Sequence, residues 1–539
     1  MPSLDLQQFG GLAPKIAVRK LPDGAAQTAN NVRLESGDLE SLRTHTTLAS
    51  QPDLRTNTRT IFKYGSEWFS FTGQNVSLID SPIPQDQYDR VYYTGDGVPK
   101  VTSNLIATGA GADPQAAYDL GVPIPAAAPA NFTVNGTDSD PSNTSDDDSR
   151  FYLVTYVTEY GEEGAPGPVS SIVNVPEPST QTVTLDLPTP SVNTANITKK
   201  RLYRTATGGD STEFFFVSEH LVSAVTVTDN IAPSGLGAAL ETQDFLPPPA
   251  NMQGLILGNN GIAAGFAGNE ILFSEPFLPY AWPNAYKRSL EFNIVAIATA
   301  GSSFVVATEG KPYFFNGVSP DSMSEQQMEI SQSCVSARSM VDMGNYVIYA
   351  SPDGLVGVRE QGAELLTEKI LDKKTWATYD PETIHAYKYE DLYVAFYGDT
   401  NNDGSGTGGF TYDANTGQFV TFDTYATAGF NDLKDDELYF VQSNQLLTWQ
   451  TAGGNYSYTY KSKKHRIQDS SFTCAKIHTD SPSNVNLKVW ANGELITNLT
   501  PITTEVIRLA PRRATDWEFE VSGTGYVSRV TLATSMGEL

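Results

Sequence analysis

Short apolar runs separated by turn residues recur along residues 255–450 at a near-constant interval. Phe304-Val305-Val306, Tyr346-Val347-Ile348, Leu392-Tyr393-Val394 and Leu438-Tyr439-Phe440 follow one another about every 40 to 50 residues, the interval at which four-stranded propeller blades repeat. Each run is followed by a turn and a second strand: Pro312 to Phe315, Leu355 to Val358, Phe410 to Tyr412, and Leu446 to Trp449. The turns are rich in Gly, Asn, Asp and Pro, so each pair reads as a hairpin. A lone hairpin cannot bury its own face, and stacking around an axis is the simplest remedy. The pattern predicts a β-propeller, with an irregular β-sandwich as the competing arrangement.

The same pattern divides the rest of the chain. Residues 1–50 lack helical periodicity and read as an extended N-terminal arm with tight turns. Strand signals at Trp68 to Phe71, Val76 to Ile79 and Arg90 to Tyr93 begin the propeller within residues 51–122. About six strands then fall within 123–249, counting Asn131 to Val134 ahead of a polar run at Asp138 to Ser149, and the stretch ends at the stiff exit Pro247-Pro248-Pro249. That density fits a fibronectin- or immunoglobulin-like sandwich inserted into the propeller. The propeller resumes over 250–454, for six to eight blades in all. Residues 455–539, with the turn Ala491-Asn492-Gly493-Glu494, read as a C-terminal β-sandwich. The fold class is therefore all-β, and the best short helix candidates are Gln326 to Arg338 and Leu365 to Trp376.

Composition sharpens this picture. The chain has 539 residues, 44 Gly, 32 Pro, 26 Tyr and 25 Phe, a β- and turn-rich balance. Its 62 Asp and Glu against 35 Lys and Arg give a formal net charge of −27. Such a surface repels nucleic acid in bulk, which argues against a duplex-gripping role without a local basic patch but not against a pore through which DNA slides. Two cysteines, Cys334 and Cys474, make no disulfide framework. No h-region or membrane-length apolar run is present, so the expected setting is a cytoplasm.

Candidate chemistry is sparse. Asp399, Asn401, Asp403 and Gly404 match the first half of a calcium loop, but Phe410 stands at its twelfth position where a bidentate carboxylate belongs. A solvated hairpin tip is the bland alternative. Gly404, Gly406 and Gly409 have dinucleotide-loop spacing without the following helix. Ser351, Asp353 and Gly354 start an Asp-box whose closing Trp is missing. The five histidines show no metal-like spacing. Neither catalytic residues nor a cofactor is expected. Two basic clusters interrupt the acidic chain: Lys199, Lys200, Arg201 and Arg204, and Lys461, Lys463, Lys464 and Arg466. They are candidate partner contacts, with solvated strand faces as the alternative.

Phe9-Gly10-Gly11, Leu21-Pro22, Ala29-Asn30-Asn31-Val32, Phe273-Ser274-Glu275-Pro276, Tyr280-Ala281-Trp282-Pro283 and the stretch Val341 to Gly354 together resemble the tail nozzle, or tail hub, proteins of short-tailed bacteriophages. The resemblance spans about half the chain and leaves out the inserted sandwich. It implies a virion structural protein without catalytic residues, assembled in the host cytoplasm. In that family's pattern a six-fold ring sits below the portal and its adaptor proteins, contacts tail fibres or spikes, and passes viral DNA without sequence-specific binding. Two other functions fit the strands: a phage receptor-binding or fibre-docking protein, and a propeller-type glycan-binding protein or glycosidase.

Overall fold

Strands that alternate apolar residues on both faces need a neighbour on each side, and here the neighbours form a wheel. The computed structural model describes residues 3–145, 147–206, 213–398 and 406–539. Among them seven small antiparallel sheets fan around one axis. Blade 1 is the hairpin Thr60–Tyr64 with Glu67–Phe71, and blade 2 begins with Ser77–Asp80. Blades 3 to 6 are complete four-stranded sheets beginning at Gln253–Leu257, Ile294–Ala300, Val341–Asp342 and His385–Tyr389. Blade 7 begins with Ala428–Asp432. Each of these first strands is innermost, and successive ones touch from blade 2 round through blade 7 to blade 1. Blades 1 and 2 share one apolar cluster through Phe62, Phe71, Val91 and Tyr93, and blades 7 and 1 share another through Ile61, Trp68, Tyr439 and Val441.

The hairpins legible in the sequence are the second and third strands of blades 4 to 7. Ser303–Thr308 and Val347–Ser351 are buried along their whole length, as expected of strands covered by blades on both sides. The arm closes the wheel. Thr46–Thr47 pairs with Gln445–Thr448 as the fourth strand of blade 7, so the first and last segments of the propeller are hydrogen-bonded together. Elsewhere the arm joins the C-terminal sandwich: Leu4–Leu6 pairs with Val527–Ala533, and Ala26–Asn30 with Tyr458–Ser462. The extended arm thus lies largely across its own chain.

Ala26–Asn30 also runs parallel to Gln418–Phe422, so the outer edge of blade 6 continues into a sheet of the C-terminal sandwich. Edges are thereby covered rather than exposed. The sandwich core unites Tyr460, Leu487, Trp517 and Phe519 with Leu4, Leu6 and Phe9 from the arm.

The segment between blades 2 and 3 forms the inserted sandwich. Ala130–Asn135, Thr182–Asp186 and Thr226–Asp229 face Tyr152–Thr158, Ile197–Thr205 and Phe214–Leu221. Its core runs without a break into Leu120, Val122, Ala281 and Trp282 of the propeller, so it is welded rather than tethered.

The helix expectations need correction. Within 326–338 the structure has the end of strand Ser324–Gln327 and the start of a 3-10 turn at Ala337–Ser339, and within 365–376 only the short helix Lys373–Ala377 begins. Asp372 caps that helix, its side chain accepting from the Thr375 amide.

Candidate functional site

Seven first strands that all start at one end of the wheel leave a hollow there. A cavity of about 340 Å3 is lined from every blade, including Arg59, Asn75, Gln253, Val295, Arg338, Tyr387 and Phe430. A wider mouth shares Arg59, Gln74, Asn75, Gln253 and Arg338 and adds Glu382 and Tyr425. Positions just before a first strand carry most of these groups, because the chain there has turned inward and is not yet paired.

Arg338 is held across the axis. Its Nη2 donates to the Arg59 carbonyl at 2.7 Å, the Thr427 carbonyl at 3.1 Å and the Tyr387 hydroxyl at 3.3 Å, tying blades 1, 6 and 7 to the segment before blade 5. Behind it lies buried His385, whose Nε2 is 2.9 Å from the Ala426 carbonyl and whose Nδ1 is 3.1 Å from the Tyr387 hydroxyl. A carbonyl can only accept, so Nε2 carries the proton and Nδ1 receives the Tyr387 O–H. Burial, with Arg338 nearby, holds the imidazole well below its ordinary pKa and keeps it neutral. The relay fixes the tyrosine, and the tyrosine helps fix the arginine. Gln74, Asn75 and Gln253 stand exposed at the rim.

The sequence-predicted basic clusters fare differently. Lys199 reaches Glu219 at 2.6 Å on the surface, and Arg201 bridges Glu219 and Glu163. Lys200 and Arg204 are fully buried, which corrects the expectation that they present charge to a partner. Lys200 donates to Thr189 and Ala224, each at 2.8 Å, and burial pulls its amine down to about 8. Arg204 lies 3.0 Å from Asp229 in a closed group with Arg150, Asp148 and Tyr152. In the second cluster Lys461 and Lys464 flank Glu518, Lys463 reaches back to Asp23 of the arm, and Arg466 pairs with Asp516. Of that group only Arg466 is largely exposed, and the other three lie along the seam with the arm.

Asp399, Asn401 and Asp403 fall outside the described residues, as does Gly404. Among the described residues no group of His, Cys, Asp and Glu could hold a metal ion. Both cysteines are free and buried. The Asp-box start is a turn in which the Ser351 hydroxyl donates to the Gly354 carbonyl. Its missing tryptophan is supplied from the following helix, where Trp376 Nε1 donates to the Ser351 carbonyl at 2.8 Å.

Phe9, Gly11, Asn30, Asn31 and Trp282 lie at seams between sub-structures. Phe9 packs edge-on against Tyr460 with centroids 5.2 Å apart. At Gly11 an added Cβ would sit 2.7 Å from the Phe419 backbone, so no larger residue fits between arm and blade 6. Asn30 and Asn31 both donate to Asp423, at 3.0 and 2.7 Å. The Trp282 amide donates to the Leu246 carbonyl, and its indole Nε1 to the Pro279 carbonyl, closing the exit of the inserted sandwich against blade 3.

No family model matches this sequence, and no curated protein matches it significantly. Among solved structures, it is similar to the extracellular domain of a hybrid two-component system of B. thetaiotaomicron, at 10% identity and TM-score 0.25, covering 89% of this chain and 51% of that one. The chain thus spans about half the length of that structure. Others are PorZ, a surface component of the type-IX secretion system of Porphyromonas gingivalis (10% identity, TM-score 0.26, 89% and 82% covered), and an exo-β-1,3-galactanase of Phanerochaete chrysosporium (9%, 0.18, 62% and 93%). With TM-scores this low the likeness says nothing of activity.

Proposed function

We propose that this chain is a structural subunit of a bacteriophage tail, a nozzle or hub protein that assembles with copies of itself into a ring around the DNA-ejection channel. The observation that carries the reading is where its distinctive runs lie. Phe9 to Gly11 and Asn30-Asn31 lock the arm onto blade 6 and the C-terminal sandwich, while Trp282 locks the insert onto blade 3. Residues that resemble a family of assembly proteins act here as joints, and they turn three sub-structures into one stiff body. Stiff bodies with defined faces are what closed rings require.

A net charge of −27 keeps a passing polyanion from adhering to the walls. The outer sandwiches are the surfaces for adaptor proteins and for fibres or spikes. A propeller glycosidase needs two facing carboxylates. Among the described residues lining the axial hollow, Glu382 is the only one.

Negative-stain imaging of the purified protein, together with a glycoside-hydrolase screen, tests the proposal. Six-fold rings with an axial opening and no turnover are expected. A dispersed monomer that cleaves glycosides would overturn it.

A further inference from the structure

We infer that the axial hollow is a binding site for a hydroxylated carboxylate of about monosaccharide size, a uronic or sialic acid unit being the type. The inference goes beyond ring assembly and does not depend on it.

The argument starts from charge. In a chain of net charge −27, the described residues lining this hollow place the guanidinium of Arg338 at the axis, with Glu382 at the outer mouth. A guanidinium offers five N–H donors in a rigid fork that matches a carboxylate. Arg338 spends one nitrogen on three protein acceptors, and this contact with blades 1, 6 and 7 holds its plane at the axis. The His385–Tyr387 relay behind it limits rotation further. The cation is therefore preorganised, and preorganisation reduces the ordering cost of binding.

Size and wall chemistry narrow the ligand. A cavity of about 340 Å3 lies at the small end of the range for small-molecule sites. Three primary amides, Gln74, Asn75 and Gln253, ring the entrance, and each both donates and accepts. That is recognition chemistry for hydroxyl groups. Phe266 and Phe430 supply apolar walls for a ring face. A simple inorganic anion would use the arginine and leave the amides and aromatic walls idle; a neutral sugar would do the reverse. A sugar acid uses all of them.

Ligand-observed NMR titrations of the full-length protein with galacturonate, N-acetylneuraminate, galactose and inorganic phosphate test the assignment. Saturable binding of at least one acid is expected, with galactose and phosphate at least about tenfold weaker, tenfold being 1.4 kcal/mol. Gln253→Ala and Asn75→Ala change exposed rim residues and should each weaken the acid by about three- to tenfold with an unchanged melting temperature. Arg338→Lys should weaken it more, since an ammonium cannot reproduce the fork. No saturable binding of either acid, equal binding of phosphate or galactose, or affinities that Gln253→Ala and Asn75→Ala leave unmoved would each overturn the inference.

Discussion

The imidazole of His45 stacks on the indole of Trp449, with ring centroids 4.5 Å apart. His45 belongs to the arm and Trp449 to the end of blade 7, so this contact lies where the wheel closes. The Gln450 amide donates to His45 Nδ1 at 3.1 Å, which requires that nitrogen to be unprotonated.

Acid should therefore loosen the closure. Burial pulls the His45 imidazole down to about 4, and that of His465 to the same value. Both folded-state values lie below the unfolded value of 6.5. Their contribution is present in full above that value and is lost as pH falls from 6.5 through 4. For His45 the loss is on the order of 3 kcal/mol at most. The protection factors of the Glu437–Gln442 and Gln445–Thr448 amides, corrected for the intrinsic pH dependence of exchange, should fall between pH 7 and pH 4.5. His45→Phe keeps the stack, removes the titration, and should flatten the acid limb by its share.

The insert responds in the opposite sense. Arg90 in blade 2 reaches Glu162 of the inserted sandwich at 2.6 Å, and its Nε reaches Asp86 at 2.6 Å. Burial pushes the Glu162 carboxyl up to about 7, against the pull of Arg90. A raised carboxyl pKa favours the folded state most below the unfolded value, and that advantage disappears as pH rises through 7. Limited proteolysis should find the junction easier to cut at pH 8 than at pH 6. Glu162→Gln should remove most of the difference.

Inside the insert, Asp229 accepts from the Tyr152 hydroxyl at 2.8 Å and lies 3.0 Å from Arg204. Asp229→Asn leaves Arg150 and Arg204 with only Asp148 as a counter-charge and should destabilise the sandwich by about 3–5 kcal/mol. Arg204→Met combined with Asp229→Leu removes both charges together and should recover most of that loss. Chemical denaturation followed by proteolytic mapping of residues 123–249 measures both.

Trp376 is fully buried beneath blades 5 and 6 and donates to the Ser351 carbonyl. Trp376→Phe should cost about 1–2 kcal/mol through the lost donor and lost volume, and Trp376→Ala about 3–5 kcal/mol through the cavity. Urea unfolding of the three proteins checks the ranking.

What the sequence disclosed follows from how much apolar surface each element had to hide. Phe304 to Val306 and Leu392 to Val394 are covered on both faces and stand out as apolar runs. The first strand of blade 5, Val341–Asp342, has only two residues and leaves no periodic trace, so the number of blades was not legible. Lys200, Leu202 and Arg204 share one face of Ile197–Thr205 at period two, all fully buried. Leu202 thus carried a signal that its basic neighbours point inward, which counting charges along the chain overlooks. The axial hollow was not legible at all. Arg338 and Gln253 come from distant parts of the chain and meet only because successive blades rotate them to one axis, a relationship that no local pattern encodes.

The central claim, that copies of this stiff wheel enclose a DNA passage, is tested most directly by a symmetry-resolved electron cryo-microscopy map of the particle that contains the chain. The account predicts six copies around the tail axis, with the channel running between them. Density for this fold placed away from the DNA path, or present as single copies on the particle's exterior, would contradict it.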